Sequence, residues 1–388
     1  MSTQDELLQR YDQVMANAFG TPKRVFVRGE GIHLFDADGR AYVDLLSGIA
    51  VTALGHNHHR VNRAITSQLA TLGHISNLFA SENQIRLAER LTSYAGGGRV
   101  FFTNSGSEAN ETAFKISRLT GHTRVVALEG SFHGRTMGAL ALTHTPKYRE
   151  PFEPLPGDVE FIPHGDLDAL RGAIDDRTAA LVLEVIQGEN GVIALPDGYL
   201  REARRITQEA GALLWIDEVQ TGIGRCGEVL LHRAHGVSAD LVTLAKGLGN
   251  GFPIGACLAL GPAADLLQPG LHGNTFAGNP VATAAGNAVL DELESGVLEH
   301  ARSVGQWLTE RIEALDHPDI REVRGAGLLR GVVLKEPKAA AVVDAMLEDG
   351  WVANAPRPDV IRLAPPLITR REDLADLVAT LPGWLARV

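Results

Sequence analysis

Six short apolar runs recur between about residues 99 and 260, and segments with helical periodicity separate them. Each run is almost continuously apolar, which favours strands buried on both faces over half-exposed antiparallel strands. The alternation of strands and helices predicts an α/β fold with a mostly parallel central sheet covered by helices. The six predicted strands are Arg99–Phe102, Val125–Leu128, Ala179–Val185, Ala212–Ile216, Leu241–Ala245 and Ile254–Leu260.

The segments on either side of this region predict a second, smaller α/β unit. An Asp-Gly turn between Gly31–Phe35 and Arg40–Asp44 predicts a hairpin near the N-terminus. Predicted helices are 2–18, 60–72, 82–95, 280–294, 297–315, 337–348 and 371–386, and further strands are predicted within 320–334 and 359–363. The expected division is an N-terminal segment, 1–55, that packs with the small domain, a large domain, 56–279, and a C-terminal small domain, 280–388.

Composition narrows the classes of partner and location. The 388 residues carry 36 basic and 47 acidic side chains, a formal net charge of −11, which argues against nucleic acid or an anionic membrane surface as a partner. The two cysteines, Cys226 and Cys257, provide no disulfide framework and favour a reducing cytoplasm. The chain shows no signal-peptide pattern at its start and no apolar run of about 20 residues, so we expect neither secretion nor a membrane span.

Lys246 is the first candidate for chemistry. The run Leu241–Ala245 ends on this lysine, and a turn containing Gly247, Gly249 and Gly251 follows it. Open α/β sheets bind ligands at the carboxyl ends of their strands. Loss of hydration at the edge of an apolar core favours the neutral amine, which can attack an aldehyde cofactor. A lone lysine at a strand end would more simply reach solvent, so the other strand ends decide the interpretation.

The end of the first predicted strand indicates an anion site. Ser105 and Glu108 match the Ser-x-x-Glu capping box at the start of a helix. The free N–H groups and the dipole of a helix N-terminus both favour phosphate, so Gly106 and Ser107 are candidate phosphate ligands. An ordinary capped helix would carry the same pattern.

Two other strand ends carry groups that suit a heteroaromatic ring. The loop after Leu128 offers Phe132, whose face can stack on a ring, and Arg135, whose guanidinium can grip a carboxylate. Asp217 ends an apolar run, and a carboxylate at the edge of a dry core needs a cationic or donor partner. A protonated pyridine nitrogen is such a partner, as in pyridoxal phosphate enzymes, although a salt bridge would also satisfy Asp217.

Two patterns point to other classes of protein. Residues 222–227, GIGRCG, match the glycine spacing of a dinucleotide fingerprint, but DEVQ intervenes after the strand and no clear helix opens at the third glycine. His56, His58 and His59 could suggest a metal-binding or interaction protein, but they lie in a turn without a matching ligand pattern, and we expect no metal. An NAD-dependent oxidoreductase and a non-catalytic histidine-cluster protein remain the alternatives.

Taken together, the motifs resemble the class III pyridoxal-phosphate aminotransferases of fold type I. The resemblance runs nearly the full chain and rests on four stretches in particular. These are FHGR at 132–135, DEVQTGIGR at 217–225, LAKGLGNGFPIGA at 244–256 and HGNTFAGNP at 272–280.

The resemblance implies pyridoxal 5′-phosphate as the cofactor and a homodimer with shared active sites. It implies that Lys246 carries the cofactor covalently, that Asp217 pairs with the pyridine nitrogen and that Phe132 stacks on the ring. It further implies that Gln220 reaches the phenolic oxygen and that Thr275 of the neighbouring subunit binds the phosphate. The complete expected cofactor set is Gly106, Ser107, Phe132, Asp217, Glu218, Val219, Gln220, Lys246 and Thr275.

The resemblance also implies the reaction. The side-chain amine of N2-acetyl-L-ornithine would pass to 2-oxoglutarate, giving N-acetyl-L-glutamate 5-semialdehyde and L-glutamate in arginine biosynthesis. Arg135 would bind the donor's α-carboxylate, Asn274 would lie near the substrate, and Glu189 and Arg362 would act as a switching pair. Succinyl-diaminopimelate, succinylornithine, a carrier-linked lysine precursor and 4-aminobutyrate are the alternative donors.

An acylated donor is favoured by two further positions. Ornithine aminotransferases tend to carry tyrosines that hold a free α-amine. Phe19 and Ile49 stand at about those positions here, and neither side chain can form that hydrogen bond.

Overall fold

A computed structural model describes residues 3–388, so the predicted start of the first helix at residue 2 lies outside the described residues. The strands are β1 Phe26–Glu30, β2 His33–Asp36, β3 Ala41–Asp44, β4 Arg99–Thr103, β5 Arg124–Leu128, β6 Asp158–Ile162, β7 Thr178–Leu183, β8 Ile186–Gln187, β9 Ile193–Ala194, β10 Leu213–Asp217, β11 Leu241–Leu244, β12 Gly255–Ala259, β13 Ile320–Ala326, β14 Leu329–Leu334, β15 Trp351–Val352, β16 Asn354–Arg357 and β17 Val360–Leu363. The α-helices are α1 Gln4–Val14, α2 His59–Thr71, α3 Glu82–Ala95, α4 Gly106–Arg118, α5 Met137–Ala141, α6 Pro146–Arg149, α7 Leu167–Ala173, α8 Tyr199–Ala210, α9 Leu231–Ala234, α10 Pro280–Glu292, α11 Leu298–Glu313, α12 Ala339–Glu348 and α13 Arg371–Ala386.

The central sheet has the strand order β4-β12-β11-β10-β7-β5-β6. Strands β11, β10, β7, β5 and β6 pair in parallel, so the predicted mostly parallel sheet is confirmed. All six residues of β7 are buried, as expected for a strand covered on both faces. The carboxyl ends of the parallel strands therefore meet at one edge of the sheet.

Two features of this sheet differ from the sequence pattern. Strand β12 runs antiparallel to both of its neighbours, β11 and β4. Only residues 245–254 connect β11 to β12, and a parallel crossover needs a dozen or more residues. Strand β6 was missed because it lies at the sheet edge, where its residues alternate between exposed and partly buried positions instead of forming an apolar run.

The N-terminal segment and the C-terminal part share a sheet. The predicted hairpin forms between β2 and β3, and β15 pairs in parallel with β3, where Trp351 lies opposite Val43. A separate antiparallel sheet, β13-β14-β17-β16, completes the C-terminal part. These pairings agree with the expected packing of the N-terminal segment on the C-terminal part. The bounds 1–55, 56–279 and 280–388 stay a proposal.

One turn of the N-terminal segment has an unusual handedness. Ser47, Gly48, Ile49 and Ala50 all have positive φ values, between 53° and 65°. Left-handed backbone costs L-residues other than glycine roughly 1–2 kcal/mol each. Two N–H groups that enter the turn, those of Leu46 and Ser47, donate to the Asp44 carboxylate and help to hold it.

The glycine-rich segment 222–227 connects two parts of the structure. Its residues form consecutive turns, and the next helix, α9, begins only at Leu231, so the helix that a dinucleotide fingerprint requires does not follow Gly227. The buried Arg225 donates through Nη1 to the carbonyl oxygens of Leu328 and Pro365, at 2.9 and 2.5 Å. The segment therefore ties the large domain to the C-terminal part.

The histidines of the turn near residue 57 pair with carboxylates. His56 Nε2 lies 2.7 Å from Asp44 Oδ2, and His58 Nε2 lies 3.9 Å from Glu292 Oε2. Within residues 3–388, no group of three His, Cys, Asp or Glu side chains is arranged to hold a metal ion. No helix in the same part of the chain is both long enough and apolar enough to cross a membrane.

We predict that two helical glycines respond in opposite ways to alanine. A Cβ atom at Gly305 in α11 would lie 1.8 Å from the carbonyl oxygen of Gly327, whereas a Cβ atom at the exposed Gly383 in α13 would meet no atom within 4 Å. Gly305→Ala should lower the free energy of unfolding by about 1–3 kcal/mol through overpacking. Gly383→Ala should leave it unchanged or raise it by about 1 kcal/mol or less. Denaturant unfolding of both variants measures the difference, and equal effects would contradict the packing of α11 on the turn at Gly327.

Candidate active site

A cavity of about 340 Å³ opens at the carboxyl edge of the central sheet. Side chains at or just after the ends of five strands line its wall: Asn104 after β4, Phe132 after β5, Glu184 after β7, Asp217 on β10 and Lys246 after β11. The predicted convergence of strand ends therefore produces one site.

Lys246 reaches this cavity from a strained backbone. Its φ is 47°, in the left-handed region, and it begins a 3₁₀ turn, Lys246–Gly249, directly after the buried strand β11. Burial lowers the pKa of Lys246 from its ordinary value, with Arg362 adding to the effect and Glu189 opposing it. Among residues 3–388, its amine has no hydrogen-bond or ion-pair partner. Such an amine is a ready nucleophile.

Asp217 is held by three donors. Its Oδ2 accepts hydrogen bonds from Asn110 Nδ2, at 2.8 Å, and His133 Nδ1, at 2.7 Å, and its Oδ1 accepts one from the N–H of Val219, at 2.9 Å. All three contacts fix the orientation of a carboxylate that is almost fully buried. The sequence patterns missed Asn110 and His133, although His133 stands inside the FHGR stretch.

The N-terminus of α4 forms the expected anion cradle. Ser105 Oγ accepts the N–H of Glu108, at 3.2 Å, but the reciprocal half of the predicted capping box is absent. The Glu108 carboxylate instead accepts the N–H of Asn104, at 2.6 Å. Gly106 and Ser107 are the first residues of the helix, so their N–H groups have no intrahelical acceptor. A Cβ atom on Gly106 would lie 2.7 Å from the Val219 side chain, so only glycine fits at this position beside the free N–H groups.

Glu189, Gln220 and Arg362 form a connected group on one side of the cavity. Arg362 Nη1 donates to Glu189 Oε1, at 2.5 Å, and to Gln220 Oε1, at 3.2 Å, while its Nε donates to Asn354. Burial alone would raise the pKa of Glu189, but the charges of Arg362 and Lys246 outweigh it, so that pKa lies below its usual value. The structure brings this predicted pair together, with Arg362 supplied by β17 of the C-terminal part.

Arg135 lies outside the cavity wall of the single chain. Its guanidinium carbon stands 3.4 Å from the centre of the Tyr148 ring and 5.5 Å from that of Phe132. The side chain is exposed, and its position next to the ring-stacking candidate keeps it close to the site.

Four further predicted residues, including Arg362 described above, also lie outside the wall of this cavity. The Glu218 carboxylate accepts the N–H groups of Leu231 and His232, at 2.7 and 2.8 Å, so its side chain is buried away from the cavity. Asn274 is bonded to Asn104 and Glu108 at the start of α4. Thr275 is exposed on the surface of the chain.

The arrangement suits an aromatic aldehyde that carries a phosphate. It offers a half-buried amine without a partner, an oriented carboxylate, an aromatic side chain and a helix N-terminus in one cavity. Gly106, where a Cβ atom would collide with Val219, forms part of the anion cradle. The donor set therefore fits covalent capture of an aldehyde with its phosphate on the helix.

Comparison with known proteins agrees with this chemistry. The family model for class-III aminotransferases matches residues 14–384. The chain is 55% identical over 381 residues, 98% of each chain, to acetylornithine aminotransferase from Mycolicibacterium smegmatis. Its structure is similar to that of ornithine aminotransferase from Toxoplasma gondii ME49, with a TM-score of 0.94 and 30% identity over 100% of this chain and 96% of the other.

A third similarity concerns the cofactor. An amine transaminase from an uncultivated Pseudomonas species, solved in its pyridoxal-phosphate-bound form, superimposes with a TM-score of 0.89. The two are 30% identical, over 96% of this chain and 97% of that one.

Proposed function

This chain belongs to the class-III aminotransferase family, and from that membership we propose that it is an acetylornithine transaminase. It moves the side-chain amine of N2-acetyl-L-ornithine to 2-oxoglutarate, giving N-acetyl-L-glutamate 5-semialdehyde and L-glutamate in arginine biosynthesis. The observation that carries the proposal is the 55% identity over 98% of both chains with a relative of that name. The cytoplasmic location stays a prediction of the sequence.

Pyridoxal 5′-phosphate is the cofactor of this family, and the cavity fits it. The cofactor supplies an aldehyde that accepts amines and a ring that takes up negative charge when a neighbouring C–H bond is broken. Gly106 and Ser107 would hold its phosphate at the N-terminus of α4, and Phe132 would stack on its ring. Val219 and Gln220 complete the wall around it. The Glu218 side chain contributes through the fold alone, because its carboxylate is engaged elsewhere.

Lys246 would hold the cofactor through Nζ and is the side chain placed to move a proton. Its lowered pKa increases the fraction of neutral amine near neutral pH, which lets Nζ act first as a nucleophile and then as a base and an acid. Its strained backbone holds Nζ at the cavity without a competing hydrogen bond.

Asp217 would pair with the ring nitrogen of the cofactor and favour its protonated state. Asn110 and His133 fix the Oδ2 atom, and the N–H of Val219 fixes Oδ1, so the carboxylate needs no reorganisation when charge develops on the ring.

Arg135, Glu189 and Arg362 divide the work of binding two different substrates. Arg135 binds the α-carboxylate of acetylornithine, and Asn274 lies near the bound substrate. Glu189 neutralises Arg362 while acetylornithine is bound and releases it for the α-carboxylate of glutamate. The 2.5 Å contact between Glu189 and Arg362 supports this switch.

The choice of donor rests on sequence similarity more than on the cavity. Phe19 is almost fully exposed, and neither Phe19 nor Ile49 lies in the cavity wall, which Val51 reaches instead. Their inability to hold a free α-amine therefore does not decide the donor within one chain. Succinyl-diaminopimelate, succinylornithine, a carrier-linked lysine precursor and 4-aminobutyrate remain the alternatives of the same family.

A homodimer completes the site, with Thr275 of each chain reaching the phosphate of the other. A cluster of exposed apolar side chains supports it: Leu69, Leu78, Phe79, Ile85 and Phe276. A largely apolar cavity of about 490 Å³ lies beside them, between Ile65, Leu69 and Phe276. Exposed apolar area of this kind marks an interface between proteins.

A panel of amine donors tests the reaction. We expect the visible band of the purified holoenzyme to be lost at the lowest donor concentration with N2-acetyl-L-ornithine. Ornithine, succinylornithine, succinyl-diaminopimelate and 4-aminobutyrate should need higher concentrations. Lys246→Ala should abolish turnover and keep the fold, which circular dichroism checks. A lower requirement for another donor would assign the enzyme to that reaction, and a protein without the band would contradict the cofactor assignment.

Glu189→Gln tests the switch. The variant leaves Arg362 uncompensated, so we expect the ratio of the two half-reaction rate constants to shift toward glutamate by about tenfold, equivalent to about 1.4 kcal/mol. Stopped-flow measurement of both half-reactions gives the ratio. Glu228→Gln is the matched control, because Glu228 pairs with Arg302, at 2.8 Å, outside the cavity. An unchanged ratio in Glu189→Gln would contradict the switch.

Phe276→Asp tests the dimer. Phe276 is 61% exposed within the apolar cluster, whereas Phe152 is 56% exposed and lies outside it. We expect wild type and Phe152→Asp to be dimers by light scattering, and Phe276→Asp to dissociate and to bind the cofactor more weakly. A monomeric wild type would refute the dimer, and a dimeric Phe276→Asp would refute the position of the interface.

A further inference from the structure

Glu184 is a buried carboxyl group for which the reaction described above has no role. It directly follows β7, and the sequence pattern places it inside the predicted strand Ala179–Val185. Leu183 of β7 lies opposite Ile216 of β10, so the next residues on the two parallel strands are Glu184 and Asp217. Both side chains are almost fully buried, and both reach the wall of the same cavity.

The two carboxyl groups receive unequal support. Asp217 accepts three hydrogen bonds, including one from a histidine ring. Glu184 accepts one, from the N–H of Phe132 to Oε1, at 3.0 Å. In the part of the chain that the structure describes, no donor reaches Glu184 Oε2. Two neighbouring buried carboxylates repel each other, and the less supported one keeps the proton.

The charged groups around Glu184 act in both directions. The pKa of Glu184 is raised to about 7 as the net result: burial raises it most, the charge of His133 lowers it, and the negative charge of Asp217 raises it. Lys246 and the N–H of Phe132 lower it by smaller amounts. Glu189, which lines the same cavity, forms an ion pair with Arg362 that neutralises its charge. These opposing effects leave Glu184 able to change charge near neutral pH.

We propose that Glu184 is the protonated member of a two-carboxyl pair with Asp217 and serves as a positioning residue for the cofactor. Oε1 fixes the backbone of Phe132, the residue that stacks on the ring, so the proton resides on Oε2. The pair then carries one negative charge and adds a neutral O–H donor to the cavity wall. The inference rests on the proposed function, because it concerns the binding of pyridoxal phosphate in this cavity.

The proposal has a consequence for cofactor affinity. Asp217 already balances the positive charge of the protonated ring nitrogen, so a second negative charge on Glu184 would have no partner in a cavity that binds an anionic cofactor. A group whose pKa is raised by the bound ligand loses its contribution to binding as the pH rises through that pKa. Affinity for pyridoxal phosphate is therefore full on the acid side of the Glu184 titration and falls on the basic side.

Glu184→Gln isolates this effect. The carboxamide can still accept the N–H of Phe132 and donate into the cavity, but it has no charge to gain. We would measure the dissociation constant of pyridoxal phosphate by equilibrium dialysis, for wild type and the variant, from about pH 6 to about pH 8.5 around the Glu184 pKa. The ratio of wild type to variant cancels the titrations of Lys246 and of the cofactor itself. The ratio should rise with pH, by about tenfold for each unit by which the cofactor raises the Glu184 pKa.

Two further measurements separate this role from a purely structural one. Glu184→Ala removes the acceptor for Phe132 and should weaken cofactor binding at every pH, including acid pH, where Glu184→Gln should match wild type. Infrared spectra of wild type with and without cofactor, at neutral pH, should differ in the carbonyl band of a protonated carboxyl group. That band gives an answer even where Glu184→Gln fails to fold.

The outcomes distinguish this inference from the proposed function. A protein that binds pyridoxal phosphate with a wild-type to Glu184→Gln ratio independent of pH overturns the protonated pair and leaves the transaminase intact. Infrared spectra without the carboxyl difference band overturn it in the same way. A wild-type protein that does not bind pyridoxal phosphate overturns the proposed function and this inference together.

Discussion

The desolvation of Lys246 is the constraint on which the rest of the site depends. A lysine at the end of a fully buried strand keeps its charge only at a high cost, so its amine becomes a nucleophile and the groups around it must be balanced. Each acidic neighbour is compensated in a different way. Asp217 is held by three donors, Glu189 is paired with Arg362, and Glu184 retains its proton under the proposal made above.

Backbone strain accompanies this electrostatic arrangement. Lys246 occupies the left-handed region, and so does the whole turn Ser47–Ala50, which leads directly to Val51 in the cavity wall. Strain of this kind persists only where the surrounding structure fixes it, and it concentrates at functional sites. The Asp44 carboxylate accepts the N–H groups of Leu46 and Ser47 at the start of this turn, and it also forms a hydrogen bond with His56 Nε2. One buried acid therefore holds both the left-handed turn and the His56 side chain.

The sequence patterns predicted what depends on chain neighbours and missed what depends on sheet neighbours. Lys246, Asp217 and Gly106 could be predicted from the sequence because each lies at or after the end of an apolar run that marks a buried strand. Asn110 and His133 meet Asp217 only through tertiary packing, and a polar residue on a helix or in a loop gives no periodic signal for that. Glu184 was absorbed into a strand because an isolated acid in an apolar run does not change the pattern. The direction of β12 follows from the length of its connection to β11. The partner proposed for Thr275 would belong to a second chain, which one sequence does not describe.

The position of β4 in the central sheet determines how late in folding this strand can pair. β4 lies at the edge of the central sheet and pairs with β12, so Phe102 lies opposite Ala256, far along the chain. During synthesis, β4 and the start of α4, the proposed phosphate site, leave the ribosome early, and they acquire their neighbour only after residue 259 has emerged. Such a non-local pairing must wait for a long loop to close, which is a slow step in folding. The cofactor therefore meets a complete cradle only late in folding, and a nascent chain released before β12 exposes an unpaired edge strand that favours aggregation.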